Sequence, residues 1–271
     1  MLKVLSALNG ISAVPKIILM LLFLSCVSEA ASSLNYKVME TLEHDPNIFV
    51  QGAVISQGVL YESGGKYGNS SIGSYSFPKL ERKYWKKLNN QLFAEGIALV
   101  GDELLMLTWR EQALVRFSLP LLKPSKVQKY QGEGWGLAYD GKQLWRSDGS
   151  DTLFVHEPVD FKQTGQVKVT EQGKSVRDIN ELEFIEGILL ANIWQKNDIL
   201  AICPANGQVL GRLKLGKLAY RHRRQGVLNG IAYWKEKKQL WVSGKMWNKA
   251  YLLDVDLSQV QQKCTGNESS H

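Results

Sequence analysis

Five segments of the sequence each begin with a residue that could contact a substrate, followed by a short apolar run. The leading residues are one acid, three amides and one indole: Glu95, Gln51, Asn180, Asn229 and Trp135. Glu95 is the only carboxylate among them, and its aromatic neighbour Phe93 favours exclusion of water, which raises the pKa of a carboxylic acid. Such a carboxylate can accept a proton and return it. That is the minimum needed to transfer an acyl group between two nitrogen atoms.

Three further residues suited to a binding pocket follow the second apolar run of their segments: Trp109, Trp194 and Lys245. Indole rings form flat apolar walls with one N–H donor each, and the amides of the leading residues can orient a substrate amide or carbonyl. Taken singly, a tryptophan can pack between sheets, a lysine can be a surface charge and an asparagine can be a turn residue. We interpret their recurrence at equivalent positions as a pocket.

The elements that would position these residues form a repeat. The segments start at residues 51, 95, 135, 180 and 229, at intervals of 40 to 49 residues. Each contains two apolar runs separated by a turn rich in Gly, Asp or Lys, a pattern typical of β-hairpins. The second strands are predicted at Val59–Glu62, Leu104–Thr108, Leu144–Ser147, Leu189–Ile193 and Leu240–Ser243.

A period of about 40 to 50 residues is typical of four-stranded β-propeller blades. Five copies predict an all-β fold, a five-bladed β-propeller over about residues 35–258. We expect a strand near Asn35–Leu42 to pair with one at Ala250–Val255 and close the ring. A β-sandwich, the alternative, shows similar turns without this period. The innermost strands of a propeller line a central channel, so the five leading residues would face a common axis.

Residues 1–30 are typical of an export signal. Lys3 and Lys16 precede an apolar run, Ile17–Val27, and small residues follow. This order predicts a secretory signal peptide cleaved after Ala30, and hence a periplasmic or secreted protein. An uncleaved anchor is the main alternative, although the run is short for a membrane span. A lipoprotein signal at Cys26 is disfavoured because the small aliphatic residue expected before it is missing.

The remaining residues, 31–271, are predicted to form one domain with a loosely ordered tail from about residue 259. Removing the signal lowers the formal net charge of +7 to +6 because two lysines and one glutamate leave with it. The basic residues occur in short groups that do not alternate with aromatics as a nucleic-acid-binding surface would, and no nucleic-acid-binding motif is visible. We therefore expect a monomer with no nucleic-acid partner and no stable membrane partner after cleavage. Only Arg221–Arg224 is a candidate binding patch.

Two cysteines, Cys203 and Cys264, remain after signal removal in a compartment that permits disulfides. They could pair or both be free, because sequence does not place their α-carbons. The four histidines are scattered, and none lies at metal-ligand spacing from a cysteine. The sequence therefore predicts neither a zinc site nor a cysteine–histidine nucleophile.

The segments also carry the motifs of a known family. They include FVQG at 49–52, FAEG at 93–96, LTWRE at 107–111, GEGWGL at 132–137, NELE at 180–183, LNGIA at 228–232 and GKMW at 244–247. In this order, over about residues 49–254, they resemble the plant-type (papaya-type) glutaminyl-peptide cyclotransferases, also called glutamine cyclotransferases. The resemblance implies a five-bladed propeller that converts the N-terminal glutamine of peptides or proteins to pyroglutamate, releasing ammonia without a catalytic metal or other cofactor.

By motif position, Glu95 matches the proton-shuttling acid/base of that family. The matching pocket residues are Phe49, Gln51, Phe93, Trp109, Trp135, Asn180, Trp194 and Lys245. One departure is Asn248, where the family usually has proline. Candidate donors to the developing oxyanion are the amide of Gln51 or Asn180, an indole N–H, and Lys245.

Two other functions are compatible with a propeller. A metal-dependent, lactonase-like hydrolase could bind Ca²⁺ through Glu95, Asn180 and Asn229. Alternatively, the propeller could be a non-catalytic binding module, because a fold does not determine a function. Sensitivity to a chelator would favour the first alternative.

Overall fold

The computed structural model describes residues 30–266 and shows five β-sheets arranged as a closed ring. Two strands, β1 (Ser32–Leu34) and β2 (Tyr36–Glu43), precede the first blade. Blade 1 consists, from the axis outward, of β3 (Val50–Ser56), β4 (Val59–Gly64), β5 (Ser71–Ser76) and β6 (Arg82–Lys87). Blade 2 repeats this order with β7 (Ala94–Val100), β8 (Glu103–Thr108), β9 (Ala113–Ser118) and β10 (Lys123–Lys129).

The other three blades follow the same antiparallel order. Blade 3 contains β11 (Leu137–Tyr139), β12 (Leu144–Arg146), β13 (Thr152–His156) and β14 (Gln163–Lys168). A small hairpin, β15 (Thr170–Glu171) and β16 (Lys174–Ser175), leads into blade 4. Blade 4 contains β17 (Ile179–Ile185), β18 (Ile188–Ile193), β19 (Asp198–Ile202) and β20 (Val209–Lys214). Blade 5 contains β21 (Leu228–Trp234), β22 (Gln239–Gly244) and β23 (Lys249–Val255).

The ring closes as the sequence predicts. Strand β2 pairs antiparallel with β23, with Tyr36 opposite Val255, and so completes blade 5 from the other end of the chain. The innermost strands β3, β7, β11, β17 and β21 each contact the next, and β21 contacts β3. The predicted five-bladed propeller is therefore confirmed. The predicted signal peptide falls almost entirely in residues 1–29, outside the described residues.

The hydrophobic core is divided among the five blade interfaces, with one cluster of buried side chains at each. Trp145, Trp241 and Trp247 are buried in these clusters. Their role is packing between blades, whereas Trp109, Trp135 and Trp194 line a cavity. Closing the ring is what buries both faces of every blade, so the sheets depend on one another for stability.

Three elements were not predicted. Strand β1 runs parallel to β20 as a fifth strand of blade 4, with Ser32 opposite Gly211. Two short helices, α1 (Gly216–Arg221) and α2 (Ser258–Gly266), follow blades 4 and 5. Neither helix of the described chain has the length and apolarity that a membrane span requires.

The tail that the sequence predicts to be loosely ordered from about residue 259 contains helix α2 as far as residue 266. Val260 and Cys264, four residues apart and so on one face of α2, are both buried. Cys264 forms a disulfide with Cys203, which follows β19. The pairing that the sequence left open therefore fastens α2 to blade 4.

Candidate active site

A cavity of about 390 Å³ lies where the inner strands of the blades begin. The nine residues that match the family site by motif position all line it: Phe49, Gln51, Phe93, Glu95, Trp109, Trp135, Asn180, Trp194 and Lys245. Two residues that the sequence analysis did not select, Arg110 and Glu133, also line it. The structure thus brings residues from all five blades together, while their chemical roles stay predictions.

Four of the five inner strands are interrupted by a β-bulge at the leading residue, and three of these four residues line the cavity. The register shifts lie between Val50 and Gly52, Ala94 and Ile97, Ile179 and Leu182, and Leu228 and Ile231. A bulge frees a residue from the regular alternation and re-aims its side chain. Gln51, Glu95, Asn180 and Asn229 each occupy such a bulge.

The glycine after most of these residues is required by close approach of neighbouring inner strands. A Cβ at Gly96 would lie 2.5 Å from the backbone nitrogen of Leu137, and one at Gly52 would lie 2.6 Å from that of Ile97. A Cβ at Gly136 would collide with the backbone oxygen of Asn180. The repeated glycine of the sequence motif therefore sets the distance between blades at the cavity.

Hydroxyl groups from the second strands fix the backbone of two site residues across blade boundaries. The Ser63 hydroxyl of blade 1 donates to the Glu95 carbonyl of blade 2 at 2.6 Å. Ser147 at the end of β12 donates to the Asn180 carbonyl of blade 4, also at 2.6 Å. Both serines are fully buried. The site residues are thus held by the ring as a whole.

Glu95 is 4% exposed and has one oxygen engaged and one free. Its Oε1 accepts a hydrogen bond from Gln51 Nε2 at 3.0 Å. Its Oε2 has no partner among the described residues. Burial raises the pKa of Glu95 well above its usual range; the charge of Lys245 opposes this, and those of Glu133 and Glu111 add to it. The second oxygen is therefore basic, and no hydrogen bond from the described residues occupies it.

Lys245 supplies the buried cation of the cavity. It is 5% exposed, and its Nζ lies 4.8 Å from the centroid of the Phe49 ring. No carboxylate of the described residues lies within ion-pair distance of it. Burial lowers the pKa of Lys245 to about 8, and the charge of Glu95 opposes this. Its backbone nitrogen donates to Val227 at 2.9 Å, which fixes the turn after β22.

The aromatic walls form two groups. Phe93 contacts both Phe49 and Trp109, with ring centroids 6.5 and 5.3 Å apart, and Trp135 meets Trp194 edge-on at 5.9 Å. Trp194 is 42% exposed and marks the open side of the cavity. The walls thus exclude water around Glu95 while one side remains accessible.

Glu133 is one of the two lining residues that the sequence analysis did not select. Its Oε2 accepts the indole N–H of Trp109 at 2.7 Å and that of Trp135 at 3.0 Å. Its Oε1 accepts from Arg110 Nε at 3.0 Å. The available signal was its place in the GEGWG motif, where an acid stands two residues before a pocket tryptophan.

The two asparagines differ from one another. Asn180 is 3% exposed and lines the cavity, and its buried Oδ1 has no partner among the described residues. Asn229 does not line the cavity; its Nδ2 donates to the Val50 carbonyl at 3.0 Å and links blade 5 to blade 1. The substrate-orienting position predicted for Asn229 is therefore wrong.

Two further carboxyl groups lie along β17 beyond Asn180. Glu181 is fully buried and accepts from the Ala53 amide at 3.4 Å, and Glu183 accepts from the Tyr233 amide at 2.8 Å. Burial raises the pKa of both groups, that of Glu183 to about 8. They connect inner strands of different blades. Within residues 30–266, no three His, Cys, Asp or Glu side chains are grouped to hold a metal ion.

The presence of Asn248 after Trp247, where the family usually has proline, has a local explanation. Its backbone N–H donates to the side-chain oxygen of Gln225 at 3.2 Å, a bond that proline could not make. The departure from the family motif thus tightens the contact between two loops of blade 5 and leaves the cavity lining unchanged.

Similarities to known proteins extend over most of the chain. The glutamine cyclotransferase family model matches residues 10–255. A glutaminyl-peptide cyclotransferase of Arabidopsis thaliana is 37% identical over 240 residues, which are 85% of this chain and 73% of the relative. The crystal structure of Myxococcus xanthus glutaminyl cyclase is similar with a TM-score of 0.78 and 35% identity, covering 83% of this chain and 98% of the other.

Proposed function

The chain belongs to the glutamine cyclotransferase family, enzymes that convert N-terminal glutamine to pyroglutamate, and we propose that the cavity around Glu95 is where this chain does so. The observation that carries the proposal is the arrangement of Glu95. Its carboxylate is buried, one oxygen accepts from Gln51, and the other has no partner among the described residues. Glu95 lines a cavity together with the residues that match the family pocket.

A cavity of about 390 Å³ suits a single amino-acid side chain with its amine rather than a folded segment. We place the N-terminal glutamine between the aromatic walls, with its amide near Asn180. The rest of the peptide or protein leaves past Trp194 and Arg110, which are the exposed residues of the lining. The substrates are thus peptides or proteins that begin with glutamine.

The reaction needs one proton to move between two nitrogen atoms. The neutral α-amine attacks the carbonyl carbon of its own side-chain amide and closes a five-membered ring, which a fixed conformer favours. The new N–C bond forms first and pushes the carbonyl electron pair onto oxygen; when the carbonyl re-forms, the bond from that carbon to the amide nitrogen breaks. Glu95 takes a proton from the attacking nitrogen and passes it to the departing nitrogen, which leaves as ammonia. The proton count is unchanged, so no co-reactant is required.

The negative charge that develops on the carbonyl oxygen requires a fixed donor. The indole N–H groups of Trp109 and Trp135 both donate to Glu133, and Gln51 donates to Glu95. Of the candidates from the sequence, these contacts leave the Trp194 indole, which is 42% exposed, and two buried groups, Lys245 and the Asn180 amide. We assign the oxyanion to these two groups.

The first test is incubation of the purified protein with a peptide that begins with glutamine. We expect ammonia release and a mass decrease equal to one ammonia. A Glu95→Gln variant should lose activity on the order of 10²- to 10⁴-fold, because it can no longer move the proton. A folded Glu95→Gln variant within several-fold of wild type would overturn the role of Glu95.

Two controls separate the alternatives. A peptide that begins with asparagine has one carbon fewer in its side chain and would have to close a four-membered ring, so it should release no ammonia. Exhaustive EDTA treatment tests the lactonase-like hydrolase, which would lose activity. One of the ligands expected for that alternative, Asn229, does not line the cavity.

We further propose that the chain is exported and acts as a monomer, without a nucleic-acid partner. The disulfide between Cys203 and Cys264 supports export, because such bonds persist in oxidising compartments. Mass spectrometry of the exported protein checks this proposal: the mature chain should begin at Ala31. An intact N-terminus on the exported protein would instead indicate a retained anchor.

A further inference from the structure

We propose that Glu133 is a positioning residue for the cyclisation, whose carboxylate holds two tryptophans from different blades as fixed walls of the glutamine subsite. This inference rests on the proposed function of the cavity. Trp109 follows β8 of blade 2, and Trp135 precedes β11 of blade 3. Both indoles donate to the same atom, Glu133 Oε2, at 2.7 and 3.0 Å. One acceptor shared by two donors fixes the angle between the two rings.

The carboxylate is itself held on its other side. Its Oε1 accepts from Arg110 Nε at 3.0 Å, and the Arg110 guanidinium lies 3.8 Å from the centroid of the Trp109 ring. The Trp109 ring is therefore held at its edge by Glu133 and covered on one face by Arg110. A cation over an indole face adds further stabilisation.

The backbone around Glu133 is fixed as firmly as its side chain. The guanidinium of Arg146, a buried residue, donates to the Glu133 carbonyl. The Gly134 amide donates to the Trp109 carbonyl at 3.0 Å. A Cβ at Gly134 would collide with the Tyr130 hydroxyl. The segment therefore admits little movement, and the glycine of the motif is required by this packing.

Glu133 acts as an anion. Partial burial opposes its ionisation, but the bonds from Trp135, Trp109 and Arg110 outweigh burial and lower the pKa of Glu133. N–H donors bind an ionised carboxylate more strongly than a neutral acceptor. Its charge also raises the pKa of Glu95. Glu133 thus shapes the subsite and strengthens the base without touching the reacting atoms.

The test compares Glu133→Gln with two matched variants. Glu133→Asp keeps the charge but shortens the side chain. Glu111→Gln removes the other carboxylate that raises the pKa of Glu95; Glu111 binds the Tyr67 hydroxyl and the Phe93 amide but no indole. The measurements are the indole N–H resonances in NMR spectra of the free protein, and kcat/KM for a glutamine peptide as a function of pH.

We expect Glu133→Gln to move the indole N–H resonances of Trp109 and Trp135 and to lower kcat/KM at the optimum on the order of 10²-fold, as misplacement of a substrate does. The acid limb of the pH profile of kcat/KM for Glu133→Gln should shift to lower pH, because loss of the negative charge of Glu133 lowers the pKa of Glu95. Glu133→Asp should lower kcat/KM without that pH shift. Glu111→Gln should give the pH shift with unmoved indole resonances.

Unmoved indole resonances in folded Glu133→Gln, or a kcat/KM at the optimum within about threefold of wild type, overturn the proposal. If Glu133→Gln does not fold, the same two measurements on Glu133→Asp test the proposal. A failure of the proposed function is recognised separately. In that case Glu95→Gln stays active or no ammonia is released, whereas the indole resonances are read without substrate and still report the contact of Glu133 with the two rings.

Discussion

Glu95 and Lys245 form a pair of buried titratable groups whose pKa values move towards one another. Burial raises the pKa of the acid and lowers that of the amine to about 8, and each charge partly counteracts the shift of the other. Burial is the larger effect in both cases. The result is a carboxylate basic enough to take a proton beside a cation that can meet an oxyanion, which is how environment divides roles between groups at neutral pH.

Lys245→Met tests this division. Loss of an oxyanion donor should lower kcat on the order of 10²- to 10³-fold. Removing the positive charge should raise the pKa of Glu95 further, so the acid limb of kcat/KM should move to higher pH, opposite to Glu133→Gln. An alkaline limb that reflects deprotonation of Lys245 should disappear. The pH profile of kcat/KM for a glutamine peptide measures both limbs.

Lys66→Met is the matched control. Lys66 Nζ lies 4.7 Å from the centroid of the same Phe49 ring, but the residue is exposed and does not line the cavity. The Lys66→Met variant should therefore retain activity within about threefold of wild type, as substitutions at exposed positions usually do. Equal losses of activity in Lys245→Met and Lys66→Met would show that activity depends on contact with Phe49 and not on the buried charge of Lys245.

Prediction from sequence succeeded at the residue scale where a residue occupies a recurring motif position. Glu95 and Asn180 could be found because each starts an inner strand. Glu133 was not recognised because its role depends on two indoles brought together from different blades. The direction of Asn229 also could not be predicted, because the Val50 carbonyl that binds it lies 179 residues away in the chain.

At the scale of elements, the bulge and the glycine that follows it work together on the inner strands. In β7, the bulge turns the Glu95 side chain into the cavity. Gly96, the next residue, lets the backbone of the neighbouring inner strand β11 come into contact with that of β7. The repeat in the sequence is thus more than a fold signature. It encodes how Glu95 of blade 2 is placed against the inner strand of blade 3.

Gly96→Ala tests this coupling. A Cβ there would lie 2.5 Å from the Leu137 nitrogen, so backbone must move. We expect a loss of about 1 to 3 kcal/mol in the free energy of unfolding, typical of overpacking. Because Glu95 is the adjacent residue, kcat/KM should also fall on the order of 10²-fold. Urea unfolding and peptide cyclisation measure the two effects.

Gly216→Ala in helix α1 is the control, since nothing lies within 4 Å of the Cβ it would add. It should leave activity unchanged and stability within about 0.5 kcal/mol of wild type or slightly higher. Wild-type stability and activity in Gly96→Ala would show that the inner strands can separate freely.

The hairpins were predicted to within a few residues because turns and apolar runs are local signals. The strand predicted at Leu104–Thr108 is observed at Glu103–Thr108, and that at Leu240–Ser243 at Gln239–Gly244. Strand β1 has only three residues and pairs in parallel with a distant strand, so it leaves no local pattern. Helix α2 likewise depends on blade 4 and on the disulfide rather than on its own sequence.

At the scale of the whole molecule, part of the positive charge lies on the outermost strands. Strand β6 carries Arg82, Lys83, Lys86 and Lys87, and β10 carries Lys123, Lys126 and Lys129. Most residues of both strands are exposed to solvent. An outer strand has unpaired backbone groups that could pair with another molecule, and lysines on the edge oppose this. This placement accounts for basic residues without invoking nucleic acid.

The disulfide should make a large contribution to global stability. Cys203 and Cys264 are 61 residues apart, and closing a loop of that length in the unfolded chain corresponds to about 4 kcal/mol. We expect the Cys203→Ser/Cys264→Ser variant to lose roughly this free energy of unfolding, measured with urea. Because neither cysteine lines the cavity, activity at low temperature should be retained.

Wild-type protein treated with a reductant should match the double variant, which controls for the substitutions themselves. An unchanged urea midpoint in both would mean that α2 contributes nothing to the stability of the ring. A loss of activity before unfolding would indicate that blade 4 and the cavity are coupled more closely than their separation suggests.

Both ends of the described chain are fastened to blade 4. Lys263 of α2 donates to the Ser32 hydroxyl of β1 at 3.4 Å, one residue before the cysteine that is bonded to Cys203. Chain ends this close can be joined by a short linker. The protein is therefore suited to circular permutation: with residues 32 and 263 connected, new termini at the exposed turn Gly101–Asp102 would leave every blade with all of its strands.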